Sequence, residues 1–146
     1  MLMTDLDNPT DPPGWPRDHL RRYLATDGAE GHEWKPGVHT LLLTTKGRRS
    51  GRARRTPLIY GRDGNRFVVV ASKGGADEHP QWYRNILADP NVQVQVAGDR
   101  FAARAHPASP AEKAQLWPMM AEIWPPYDEY QTKTDRDIPV VVLEPV

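Results

Sequence analysis

The chain has 146 residues, enough for one domain with a core and too few for a second globular domain. Its 19 basic and 19 acidic side chains cancel, which argues against a general nucleic-acid binder, and the absence of cysteine excludes disulfides and thiolate chemistry. It shows no apolar run of membrane-spanning length and no basic-then-apolar leader, so a cytoplasmic protein is expected.

Residues 1–16, MLMTDLDNPTDPPGWP, are broken by proline and glycine and have no periodicity. They read as a flexible N-terminal arm, with residues 17–146 as a single domain. Leu20, Tyr23 and Leu24 then share one helical stripe, and Asp27-Gly28 stops a short helix with a basic face. Residues 38–45, VHTLLLTT, predict a buried strand, and residues 54–60 another. Asp63-Gly64-Asn65 is a hairpin turn into a third buried strand, residues 66–72, RFVVVAS. Residues 80–88 predict a short helix that Pro80 opens and Asp89-Pro90 closes.

Residues 92–96, VQVQV, alternate as a half-buried strand does, and Ala97-Gly98-Asp99 turns them into residues 100–106. Ser109-Pro110-Ala111-Glu112 has the form of a capping box and opens a helix that runs to about Ile123. Trp124-Pro125-Pro126 breaks it, residues 127–134 predict a further short helix, and residues 138–143, IPVVVL, a last strand. Six strands joined mainly by hairpins, with short helices around them, predict a mainly β (α+β) antiparallel barrel.

Three segments carry chemistry. The first is KGRRSGRARR, residues 46–55, with six cations, two glycines and no acid. Glycines free the backbone to turn N–H groups toward an anion, and arginine forks suit phosphate or carboxylate. A solvated loop is the plain alternative, but a run pinned between two core strands keeps its like charges in mutual repulsion unless an anion relieves them. The run holds no aromatic to stack a base. The second is Ser72-Lys73-Gly74-Gly75-Ala76 followed by HPQWYRN, residues 79–85. Here a cation stands at a strand mouth, glycines permit close approach of a flat ligand, and Trp82 and Tyr83 offer a wall. Each of these taken alone is equally well a surface lysine or a core aromatic. The third holds Tyr127 and Tyr130, three apart and so on one helical face. Phenols stay protonated at neutral pH and can donate to a carbonyl or nitro oxygen, or can simply pack.

Taken together, these segments resemble the deazaflavin-dependent nitroreductase family, split β-barrel oxidoreductases that use coenzyme F420. The motifs that carry the likeness are TKGRRSGRARRTPL, ASKGGADEHPQWYRN and WPPYDEYQTKTDRDIPVVVLEP, in that order, over residues 40–145. The resemblance implies a six-stranded antiparallel split β-barrel with short flanking helices. It implies that Arg48, Arg49, Ser50, Arg54 and the backbone around Thr56, Pro57 and Leu58 hold the phosphate and polyglutamate tail. Ser72, Lys73, Gln81, Trp82, Tyr83, Arg84 and Asn85 would border the deazaflavin. Tyr130, Tyr127 and Ser72 would face the acceptor as the catalytic groups. Gln81 departs from a frequent methionine and Thr56 from an occasional asparagine.

The activity implied is hydride transfer from the reduced deazaflavin to a quinone such as menaquinone, an activated enone or a nitroaromatic, with no metal. Rival readings are a split-barrel reductase using FMN, and a non-catalytic anion- or nucleic-acid-binding module, in which the tyrosine pair has no role. The partner expected is a small-molecule acceptor and not nucleic acid. Because quinones are membrane lipids, peripheral contact of the basic N-terminal helix with the inner face of the cell membrane stays open, as does the oligomeric state.

Overall fold

The computed structural model describes residues 15–146, with side chains from Pro16 onward. The expected N-terminal arm therefore lies outside the described residues except for its last two positions, which begin helix α1, Trp15–Thr26. Eight strands follow: β1 Glu33–Lys35, β2 Val38–Lys46, β3 Ala53–Ile59, β4 Gly61–Asp63, β5 Arg66–Val70, β6 Asn91–Val96, β7 Asp99–Pro107 and β8 Val140–Pro145. Three further helices are α2 Gln81–Ala88, α3 Pro110–Ile123 and α4 Pro126–Thr132.

All strand pairs are antiparallel, and the sheet runs β1-β2-β6-β7-β8-β5-β4, with β3 on the second edge of β2. One residue, Tyr60, separates β3 from β4. On one side of it Ile59 pairs with Thr40 of β2, and on the other Gly61 pairs with Val68 of β5. This single stretch of chain thus bends from one end of the curled sheet to the other and joins them, which is the split-barrel arrangement. The six expected strands are all present. The two additional ones are β1, too short to show alternation, and β4, the continuation of β3 beyond the bend.

Period-2 side-chain alternation divides the core in two. Leu41, Leu43, Phe67, Val69, Val141 and Leu143 point into the barrel, where α2 adds Trp82, Tyr83 and Ile86. Val68, Val70, Val140 and Val142 point outward and are covered by Leu116 and Met120 of α3 and Tyr127 of α4. Both faces of β5 and β8 are therefore buried, which is why the sequence shows continuous valine runs there rather than alternation. The third cluster packs Leu20, Tyr23 and Leu24 of α1 on Leu42. The Ser109 capping box forms as expected: the Ser109 side chain accepts from the Glu112 N–H, and the Glu112 carboxylate accepts from the Ser109 N–H.

Candidate functional site

The basic run is the turn between β2 and β3. Gly47 donates its N–H to Arg52 O at 2.7 Å and Gly51 to Gly47 O at 2.8 Å, while Ser50 Oγ accepts from the Arg52 N–H at 3.1 Å. The Ser50 hydroxyl proton stays available to a ligand. Gly51 sits at φ +74°, a left-handed conformation that a residue with a Cβ adopts only at a cost. Beyond the turn, β3 is laddered to β2 along one edge, with Pro57 opposite Leu42. A proline fits such a strand because its missing N–H removes nothing from the ladder if it faces the open edge.

Between this turn and the start of α2 lies a cleft of about 800 Å³. Arg48, Arg49, Ser50, Arg54 and Thr56 line it from the turn and β3. Lys73, Gln81, Trp82 and Asn85 line it from the opposite side. Of the residues singled out in the sequence, these nine are brought together. Gly47 and Arg55 of the same basic run, with Pro80 and Pro16, complete the wall. None of Arg48, Arg49, Arg52 and Arg54 has a carboxylate in ion-pair range among the described residues. The cleft therefore holds three arginines, Arg48, Arg49 and Arg54, whose charge no carboxylate among the described residues offsets, and an anion there relieves their mutual repulsion.

Arg48 is also oriented. Asn85, only 3% exposed, accepts from both the Arg48 N–H (3.3 Å) and Nη1 (3.0 Å), and its own amide donates to Thr45 Oγ1 at 3.1 Å. Gln81 Oε1 accepts from Arg48 Nη2 at 2.9 Å. Both supports are neutral acceptors, so they hold the guanidinium in place without cancelling its charge.

At the mouth of β5 the backbone is unusual. Lys73, Gly74 and Gly75 take φ of +47°, +62° and +85° in succession. Ser72 before them is right-handed helical, and this order turns consecutive amide groups to one side. A lysine at positive φ is locally strained, a condition that collects at functional loops. Gly75 is required for a second reason: a Cβ there would stand 2.7 Å from Tyr130 O, so the turn and α4 touch backbone to backbone. Lys73 Nζ lies 3.7 Å from Glu78, an exposed pair.

The two tyrosines part company. Their rings meet edge-on at 6.1 Å, but Tyr127 is 5% exposed and packs on Trp117 in the outer core. Burial pushes its phenol well above the usual range. Tyr130 is only half-buried, with Lys133 Nζ 5.7 Å from its ring centre. Tyr83 is buried in the barrel core edge-on to Trp82. Leu58 packs against the same core, and Arg84 is half-buried on α2. Another cleft, of about 560 Å³, lies between α3 and residues 137–140. Its cation, Lys113, is already bound to Asp137 at 3.2 Å, so it lacks the free charge of the first.

Sequence reasoning passed over Arg136. Its guanidinium reaches the carbonyls of Ala71, Ser72 and Ala76 and the ring of His79, 57 to 65 residues away. The only local sign was a basic residue inside TDRDIP, which reads as surface.

Fold and cleft define a split-barrel protein with a cationic ligand cleft beside its open strand. The chain matches the family model described as F420H(2)-dependent quinone reductase over residues 15–145. It is 41% identical over 130 residues to the F420H(2)-dependent quinone reductase Rv1261c of Mycobacterium tuberculosis, with 87% of each chain covered. A solved structure described as an F420-H2 dependent reductase (FDR-A) superposes with a TM-score of 0.67 at 42% identity, covering 72% of this chain and 93% of that one. A second, described as a domain-swapped dimer, gives 0.69 at 39% identity, covering 88% and 96%. The chain belongs to the F420H(2)-dependent quinone reductase family. With that membership come the oxidoreductase class and coenzyme F420 as cofactor.

Proposed function

We propose that this chain reduces a quinone, menaquinone being the type expected, with reduced coenzyme F420 bound in the 800 Å³ cleft. The residues present fit that group. Three lining arginines without carboxylate partners among the described residues, Arg48, Arg49 and Arg54, suit a phosphate and a chain of glutamates, and Trp82 adds an apolar edge to the wall. When bound, the reduced deazaflavin supplies the hydride.

The protein's part is binding, orientation and charge. Arg48, Arg49 and Arg54, with the Ser50 hydroxyl, hold the anionic tail, and Asn85 and Gln81 keep Arg48 aimed. Lys73 and Trp82 border the ring. On the acceptor side, Tyr130 is the phenol with solvent access; it donates a hydrogen bond to the acceptor oxygen as negative charge develops there, and passes its proton. Tyr127 supports the Tyr130 ring from the core rather than touching the acceptor. Ser72 opens the turn whose Gly75 meets the backbone of Tyr130, and is the third group assigned to the acceptor side.

The observation that carries this reading is the oriented, uncompensated Arg48 in a cleft of the right size. Reduced F420 assayed against quinones, enones and nitroaromatics tests it: quinone turnover is expected, and tight FMN binding without turnover of F420 overturns it. A non-catalytic anion-binding module would instead show salt-sensitive DNA binding and no hydride transfer.

No helix among the described residues is long and apolar enough to cross a membrane. Peripheral contact through α1, whose Arg21 and Arg22 are exposed, belongs to the proposal because the acceptor is a lipid. Flotation with anionic vesicles checks it, and protein that stays in the bottom fraction refutes it.

A further inference from the structure

β5 leaves the sheet after Val70, and the chain from Ala71 to Ala76 must place its carbonyls elsewhere. Three of them converge on one guanidinium. Arg136 donates from Nε to Ala76 O at 2.7 Å, from Nη2 to Ser72 O at 2.7 Å and from Nη1 to Ala71 O at 3.3 Å. Nη1 also donates to His79 Nδ1 at 3.1 Å. Only a planar fork reaches four acceptors spread this way; an ammonium is a point donor on a flexible stem.

Arg136 is itself tied to α4. Gln131 Nε2 donates to Arg136 O at 2.8 Å, and Gln131 Oε1 accepts from the Ile138 N–H at 3.0 Å. Gln131 follows Tyr130 directly, and Tyr130 is the residue whose backbone touches Gly75. A closed path therefore runs from the tyrosine helix through Arg136 to the Ser72–Lys73 segment and back through Gly75.

We infer that Arg136 is a positioning residue that fixes the Ser72–Lys73 segment against the helix carrying Tyr130, and that it holds His79 as the neutral tautomer with its proton on Nε2. This rests on the functional reading above for its catalytic consequence, but not for the contacts themselves. Burial, then the charges of Arg136 and Arg84, keep His79 below the usual histidine range, in agreement with a ring that accepts at Nδ1. Because the guanidinium of Arg136 reaches Ala71, Ser72, Ala76 and His79 and no arginine of the β2–β3 turn, anchorage of the anionic tail is separable from positioning of the Ser72–Lys73 segment.

The test compares wild type with Arg136→Lys and Arg136→Gln in three measurements. Long-range ¹H–¹⁵N correlation on the protein without cofactor reads the His79 tautomer, F420 fluorescence reads cofactor affinity, and steady-state kinetics separates kcat from the acceptor KM. Expected are a single Nε2–H tautomer in wild type and its loss in both variants. F420 affinity falls far less than turnover, because the tail arginines are untouched and only Lys73 at the ring's border shifts, while kcat or acceptor kcat/KM falls about tenfold to a hundredfold, the scale of a misplaced reacting group. Lysine should not rescue. Wild-type kinetics in a folded Arg136→Lys protein overturns the inference, as does a parallel loss of F420 affinity, turnover and melting temperature, which marks a general structural role. If wild-type protein neither binds F420 nor reduces a quinone, the functional reading is what fails, and the tautomer measurement still decides the Arg136 contacts.

Discussion

Asn85→Ala probes the support of the cleft rather than its contact surface. The wild-type amide makes two acceptor contacts with Arg48 and one donor contact with Thr45 Oγ1. Truncation leaves the buried Thr45 hydroxyl and the Arg48 N–H without those partners. Stranding buried polar groups costs about 1–3 kcal/mol; about 2 kcal/mol in a chain of this size lowers Tm by roughly 4–8 °C. Arg48 keeps its bond to Gln81 but regains rotamer freedom, which binding must then remove. At about 0.5–1.5 kcal/mol for one immobilised side chain, F420 affinity should weaken roughly two- to tenfold.

Asn85→Asp makes the complementary change. A carboxylate can still accept from Arg48 but cancels its charge, so folding should be retained while F420 binding weakens and its salt dependence becomes shallower. Fluorescence titration at two salt concentrations and a thermal melt measure both variants. If Asn85→Ala melts and binds like wild type, or if Asn85→Asp binds F420 more tightly, Arg48 is not the held anion anchor.

Tyr130→Phe should lower quinone turnover about a hundredfold, the scale of a lost proton donor, with F420 affinity intact, whereas Tyr127→Phe should leave turnover close to wild type because its phenol lies in the core. Equal losses in steady-state kinetics would make the buried phenol a participant. Gly75→Ala adds about 1–2 kcal/mol of backbone strain at φ +85°, before counting the clash with Tyr130 O, so both the melting temperature and turnover should drop; an alanine variant at full activity refutes the tight docking of α4.

Stability should also depend on mild acid. Burial is the leading cause that holds His19, His32 and His79 below their usual range in the folded protein. The unfolded chain takes up protons first, so the stabilisation is fully present above the unfolded value of about 6.5 and is lost as pH falls through the folded values. Urea midpoints at neutral pH and near pH 5 measure this; a flat or rising midpoint on acidification contradicts it.

Local signals were legible wherever the physics is local. The Ser109–Glu112 capping box, the turn at Gly64 and the ends of α2 and α3 depend on residues within a few positions, and all were readable. The valine runs of residues 66–72 and 138–143 announced strands, the first as buried, and the structure shows both buried on both faces. The cation cluster announced an anion site, because charge density belongs to composition and needs no partner to be seen.

What the chain alone did not display is where long-range contacts land. Asn85 looked like one more residue on the ligand's border, and only the meeting of α2 with the β2–β3 turn makes it the support of Arg48. Tyr127 and Tyr130 are equivalent by spacing, yet docking of α4 against Gly75 and α3 sends one phenol into the core and leaves the other with solvent access. The bend at Tyr60 that closes the barrel, and the reach of Arg136 to carbonyls some sixty residues away, arise from pairings whose partners are distant in sequence. Sequence determined the strands, the caps and the charge that calls for an anion. Tertiary structure decided which of those residues meet, because side-chain contacts across a closed sheet follow register and burial rather than neighbourhood along the chain.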